Sequence, residues 1–347
     1  MAENSLTILN RILNNINDKY DVSVGSIFYD FASPVAIEEE RLQGELEDII
    51  NKYFVETATG DDLTRKCAEM GVNRKEAAYA SGIVIVSGTP GATIKKGELV
   101  ANGLVSYEFM EDSVVPLSGK VQVMVRCTSI GSVGNVQAEK IIHFPKTLSG
   151  LNTVSNPAPF TNGYDRETDE ELKKRYFLKV QCPPTSGNKY HYQLWALDVN
   201  GVGEAKVVPR WNGNGTVKVI ITSANNTGAS QELIQKTFDY IEENRPIGAD
   251  VTVVSAVEKP INLTGTLILK NGYILNNVIN FIKTNVKEYI GANSFNSTYI
   301  SLAKIGQIIL DTDGVIDYQD LKLNGKAENV SIRDEEIAVL GTVDMGV

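Results

Sequence analysis

The spacing of apolar residues changes twice along this chain. Between residues 5 and 20, Leu6, Leu9, Ile12, Leu13 and Ile16 recur at helical intervals, with Ser5 placed to cap them. A second helix is expected to start at Pro34, whose fixed φ suits a first turn. It carries Leu42, Leu46, Ile49, Ile50 and Tyr53 on one face and Glu38, Glu39, Glu40, Glu47 and Asp48 on the other. Ala58-Thr59-Gly60 interrupts it. A short third helix then begins at Asp61 or Asp62 and runs through Leu63, Cys67 and Met70 to Gly71, where a residue with positive φ is wanted. Helices this short hide little of one another, so the stripe from Leu42 to Tyr53 is a candidate contact for another chain.

The period shifts to two at Gly82. Ile83 and Ile85 alternate with Val84 and Val86, which predicts a strand covered on both faces. Gly88-Thr89-Pro90-Gly91 reads as a turn with Gly91 in the left-handed position. Further strands are expected near 107–110, 121–127 and 136–144, separated by Gly119 and by Gly131-Ser-Val-Gly134-Asn135. Short strands with a turn roughly every ten residues point to a small β-sandwich or barrel.

After a loop rich in Asn, Pro and Gly, Thr168 can cap a helix, with Glu171 completing a capping box and Asp169 and Glu170 in the positive first turn. Lys173, Lys174 and Arg175 follow toward the negative end, so this charge order is accounted for by the helix dipole. Beyond Trp195 strands and helices alternate: strands 203–209, 216–222 and 250–257 around a helix 230–244, then a strand 261–269, helices 275–290 and 301–310, and strands 315–323, near 330 and 337–343. Trp211-Asn-Gly213-Asn-Gly215 has the composition of a hairpin turn. Leu197-Asp198-Val-Asn200-Gly201-Val202 is echoed by Leu310-Asp311-Thr-Asp313-Gly314-Val315, each ending a helix and opening a strand. The echo is consistent with two similar units in series. The expected fold is multidomain α+β: a helical segment 1–80, a small β-sandwich-like domain 81–150, and two α+β domains of split βαβ character, 151–257 and 258–347.

Several strings stand out along the chain: Gly25-Ser26 with Tyr29-Asp30-Phe31 and Pro34, Thr57-Ala58-Thr59-Gly60-Asp61-Asp62-Leu63, and Gly71-Val72 with Arg74. To these are added the turns at Gly88–Gly97 and Gly131–Val136, Gly163-Tyr-Asp165-Arg-Glu167-Thr168-Asp169-Glu170-Glu171-Leu172 with Arg175, Ser186-Gly187-Asn188, and Arg245-Pro246-Ile-Gly248-Ala-Asp250. Taken together, they resemble the baseplate J-like proteins, wedge components of contractile phage tails and related injection machines. Asn162 stands where a glycine is common in that family, and Lys173 where arginine is. The resemblance implies an architectural role for Gly60, Gly91, Gly163, Asp165, Glu167, Thr168, Asp169, Arg175, Gly187, Asn188, Pro246 and Gly248. It also implies a helical N-terminus that joins a core bundle. The implied partners are a second copy, other wedge proteins, a sheath-initiating protein and a central hub, in a phage tail or a tail-like bacteriocin.

Composition agrees with a folded chain of several domains. The 347 residues carry 42% hydrophobic and 22% charged side chains, ordinary for a globular protein. A net charge of −10 argues against a phosphate-binding face, so no nucleic-acid partner is expected. No apolar run reaches the roughly 20 residues of a spanning helix, and no secretion signal is visible at the start. The expectation is assembly in the bacterial cytoplasm and no membrane partner. Cys67, Cys127 and Cys182 lie far apart, as for reduced thiols.

Candidate chemistry is sparse. There is no P-loop or dinucleotide fingerprint, and the two histidines, His143 and His191, fall in different expected domains. Asp311-Thr-Asp313-Gly314 opens like a calcium loop but lacks the later ligands. Glu167, Asp169, Glu170 and Glu171 crowd one helix start, where solvation leaves nothing to raise a carboxyl pKa for glycoside hydrolysis. No enzyme, cofactor or metal site is expected. The alternative is a receptor-binding or surface-degrading tail protein, which the mixed α+β ends and 7% aromatic content count against.

Overall fold

The computed structural model describes residues 3–182 and 184–346. The chain divides into two compact units, residues 1–74 with 167–177, and residues 75–166 with 178–347.

The first unit is helical. Helix α1 (Ser5–Leu13) is capped by Asn4, whose side chain accepts from the Thr7 N–H, so the cap precedes Ser5 and the helix is shorter than its periodicity suggested. Helix α2 (Ile27–Tyr53) is capped by Ser26 and contains Pro34 in its interior. The helix thus begins seven residues before Pro34, the expected first turn. Pro34 removes one i→i−4 bond there, but Ile8 and Leu9 of α1 bury Ala32 and Ala36 on either side of it, and that packing holds the turn. Bonds from the Glu3 N–H to Gln43 and from the Ser5 N–H to Glu40 set α1 antiparallel to α2 and mark where its cover ends. Helix α3 (Gly60–Glu69) closes at Gly71, φ +68°. Its Leu63 and Cys67 pack with Val55, Ala58, Val72 and Leu172. Leu172 lies on helix α4 (Asp169–Gln181), which begins in this unit.

The second unit opens with β1 (Tyr79–Gly88), β2 (Thr93–Ile94), β3 (Leu99–Ala101), β4 (Ser106–Phe109), β5 (Ser113–Val114), β6 (Lys120–Ile130) and β7 (Leu151–Ser155). Five form an antiparallel sheet of order β3-β4-β6-β1-β7, and β2 pairs with β5. Val84, Val86, Tyr107, Phe109, Val123, Val125 and Phe160 fill the core. Tyr107 donates its hydroxyl to the Gly134 carbonyl, and burial pushes its pKa up to about 12. Two expectations fail here. Ile83 is 43% exposed, so β1 is covered on one face only. Residues 136–144 form no strand, because the fully buried Asn156 satisfies their backbone instead. It accepts from the Lys140 and Ile141 N–H groups and donates to the Gln137 carbonyl.

Two three-stranded sheets follow. Helix α5 (Lys189–Asp198), β8 (Val202–Pro209), β9 (Thr216–Ser223), α6 (Gln231–Asn244) and β10 (Asp250–Ser255) build the order β10-β9-β8. Then come β11 (Val257–Leu269), α7 (Leu275–Ala292), β12 (Tyr299–Ile300), α8 (Leu302–Leu310), β13 (Val315–Leu323), β14 (Val330–Ser331) and β15 (Glu336–Gly346). The larger sheet here has the order β13-β11-β15, and β12 pairs with β14. In each three-stranded sheet a central strand has one antiparallel and one parallel neighbour. The chain threads them differently, since the centre is the second strand of one and the first of the other. The sequence echo nevertheless marks equivalent turns. Gly201 (φ +102°) and Gly314 (φ +93°) each leave no room for a Cβ against a tyrosine ring, that of Tyr164 and that of Tyr273. Ile220, Ala256 and Ile337 pack the two sheets together, edged by Lys206–Asp334 and Lys218–Glu335 pairs.

Candidate functional site: a charge clamp and an uncovered helix face

The string from Glu167 to Arg175 does more than complement a helix dipole. Thr168 and Glu171 exchange the bonds of a capping box: the Thr168 N–H donates to Glu171 at 2.9 Å, and the Glu171 N–H to the Thr168 hydroxyl at 3.2 Å. Asp169 faces the other way. Its Oδ2 accepts the Gly60 N–H at 2.8 Å and its Oδ1 the Arg74 Nη2 at 2.6 Å. Thr59, the N-cap of α3, makes no side-chain cap bond of its own, so Asp169 supplies the acceptor from α4. The Gly60 N–H, then the Arg74 guanidinium, hold the Asp169 carboxyl below its ordinary pKa.

Arg74 is the centre of the network, with its side chain 3% exposed. It also donates to the Thr64 hydroxyl at 2.8 Å, the Glu167 carbonyl at 2.7 Å and the Gly60 carbonyl at 3.1 Å. A second buried pair, Arg175 with Glu167, lies at 2.9 Å with side chains 6% and 4% exposed, and Arg175 donates to the Asn73 carbonyl. The expectation that these carboxylates are solvated is therefore wrong for Glu167. The helix dipole accounts for the charge order locally, so the sequence carries no sign of the distant Arg74.

The other singled-out residues lie in turns. Gly163 and Asn135 bond reciprocally, at 2.9 and 3.0 Å, and Asp165 accepts the Ser132 N–H at 2.9 Å, joining two strings far apart in sequence. Gly187 (φ +72°) packs against Pro246, whose Cγ would lie 2.5 Å from an added Cβ, while Asn188 caps α5. Gly91 (φ +90°) and Gly248 (φ +88°) occupy left-handed turn positions with open space around them.

On α2, Leu42, Leu46, Ile49, Ile50 and Tyr53 are 47, 59, 60, 55 and 60% exposed. α1 stops short of them, leaving an apolar face on a helix whose flanks carry Glu38, Glu45 and Arg41 in surface pairs. Among the described residues no group of three His, Cys, Asp or Glu could hold a metal ion, and no helix is long and apolar enough to cross a membrane. A cleft of about 180 Å³ lined by Tyr164, Asn200, Glu232 and Lys236 contains no histidine or cysteine.

Comparison with known proteins places these features. Residues 83–163 match the baseplate J-like protein barrel domain, 184–255 the baseplate J-like central domain and 261–346 the baseplate J-like protein C-terminal domain. The phage-like element PBSX protein XkdT of Bacillus subtilis (strain 168) is 33% identical over 344 residues, covering 97% of this chain and 95% of that protein. Baseplate protein gp47 of Escherichia phage Mu is 28% identical over 307 residues, covering 83% and 82%. A chain of the anti-feeding prophage baseplate aligns over 96% of this chain and 90% of its own length, with a TM-score of 0.38 and 10% identity. The chain belongs to the baseplate J-like protein family.

Proposed function

We propose that this chain is a structural wedge subunit of the baseplate of a contractile injection particle, a phage tail or a tail-like bacteriocin, with no catalytic activity of its own. It pairs with a second copy, and wedges join into a ring around the central hub that passes the trigger to the sheath. Its partners are other wedge proteins, the sheath-initiating protein and the hub. It is assembled in the bacterial cytoplasm and leaves with the particle. Of the four segments, 1–80, 81–150, 151–257 and 258–347, the helical first makes the durable contact and the α+β units make the exchangeable ones.

The observation that carries this reading is the bare stripe on α2. Five large apolar side chains on one helix face remain in water while α1 covers the adjoining turns. A stripe of this kind marks an interaction site, and its burial supplies the driving force for association. Baseplate proteins among its relatives, such as gp47 of phage Mu, support the class of assembly. The test is co-purification of the other wedge proteins with the chain carrying Leu46→Asp and Ile50→Asp. Loss of the complex with an unchanged thermal melt is the expected result. Unaltered wedge assembly would remove the assignment of this helix.

A further inference from the structure

The chain leaves the helical unit after Arg74 and re-enters it at Glu167. The charge clamp ties these two passages to each other. Arg74, the last residue out, donates to the carbonyl of Glu167, the first residue back, at 2.7 Å. Arg175 donates to the carbonyl of Asn73 at 2.6 Å and pairs with Glu167. Asp169 spans from Arg74 to the start of α3. Leu172 is fully buried among Leu63, Cys67 and Val72 in the same place.

Apolar packing alone would hold α4 here but would define its register weakly, since methyl groups can slide past one another at modest cost. Buried ion pairs behave otherwise: separating them strands charges away from water, so the arrangement is kept or lost as a whole. The network also runs through backbone groups at Gly60, Asn73 and Glu167, which fixes main chain to main chain.

We propose that the clamp is a mechanical joint. It makes residues 167–177 travel with α1–α3, so that any displacement of the helical unit is delivered along α4 to residue 178. From there it reaches the core in which Leu178 packs with Trp195 and Val219. The idea rests on the baseplate reading above and names the part of the chain that passes the trigger on. Arg74 and Asp169 act as positioning residues in it.

The test uses the full chain carrying Asp169→Asn, which keeps an acceptor for Gly60 but removes the charge, and Thr64→Val, which removes one acceptor of the Arg74 guanidinium, as a milder companion should the first fail to fold. Amide exchange is followed in segments 60–74 and 167–177, and sheath contraction in particles built with each variant. Protection is expected to fall about tenfold in both segments together, with normal incorporation and with contraction after triggering slowed or incomplete. Loosening confined to one segment, or no loosening, overturns the joint. So does joint loosening with contraction at the wild-type rate and extent. Absence of the wild-type chain from purified baseplates would instead refute the baseplate reading.

Discussion

The carboxylate of Asp169 closes the start of a helix that begins 109 residues earlier, accepting the Gly60 N–H at 2.8 Å. Its pKa is held below the ordinary 3.8, first by that N–H and then by Arg74. A depressed carboxyl pKa contributes stability that is fully present above the unfolded value and is lost as pH falls through the folded one. Asp169→Asn is therefore expected to cost about 1–2 kcal/mol at neutral pH, the range for charged hydrogen bonds on a partly exposed group. The gap between wild type and variant should close below pH 3.8. Urea unfolding at a series of pH values measures both.

Arg175 and Glu167 are both buried, so removing one alone strands the other. Arg175→Met should destabilise by about 3–5 kcal/mol, as for other buried pairs that lose one partner. Adding Glu167→Met should recover most of it, leaving a deficit of about 1 kcal/mol for the lost bond to the Asn73 carbonyl. A double-mutant cycle by denaturant unfolding checks the coupling.

Gly187 and Gly248 share a left-handed backbone but not a setting. A Cβ at Gly187 would meet Pro246 at 2.5 Å, while one at Gly248 would meet nothing within 4 Å. Gly248→Ala should cost about 1–2 kcal/mol for the backbone alone. Gly187→Val should cost about 3 kcal/mol or more, adding the clash to the strain. It should disturb folding of the surrounding domain rather than binding as such. Thermal melts beside partner binding distinguish the two.

The apolar stripe on α2 makes an opposite stability prediction. Leu46 and Ile50 are more than half exposed, so their replacement by Asp should change the unfolding free energy of the isolated chain by no more than about 0.5 kcal/mol. Leu63, fully buried, should lose about 2–5 kcal/mol on truncation to alanine. Calorimetry of the three variants makes the comparison.

Elements governed by local pattern were legible from the residues. The strand read over 315–323 has those bounds, and the helix read over 230–244 is α6 with Ser230 as its cap. Two of the misreadings share one origin, a distant contact overriding a local rule. Asn156 does for residues 136–144 what a strand partner would have done. The packing of Ala32 and Ala36 under α1 carries α2 through Pro34. The clamp was the least legible feature, because nothing near Arg74 in the sequence names Asp169 as its partner. Periodicity marks Leu42–Tyr53 as an apolar face, but not whether the fold itself covers that face.

Because α1 begins beside Glu40 and Gln43 and runs back toward the start of α2, the far half of α2 goes without shelter from α1. A cell producing this polypeptide in excess would accumulate copies whose bare helix face adheres to other copies or to whatever oily surface passes by. On the proposed wedge role, production would be matched to that of the protein that takes up the bare half. In the laboratory, co-expression should yield far more usable material than synthesis of the polypeptide by itself.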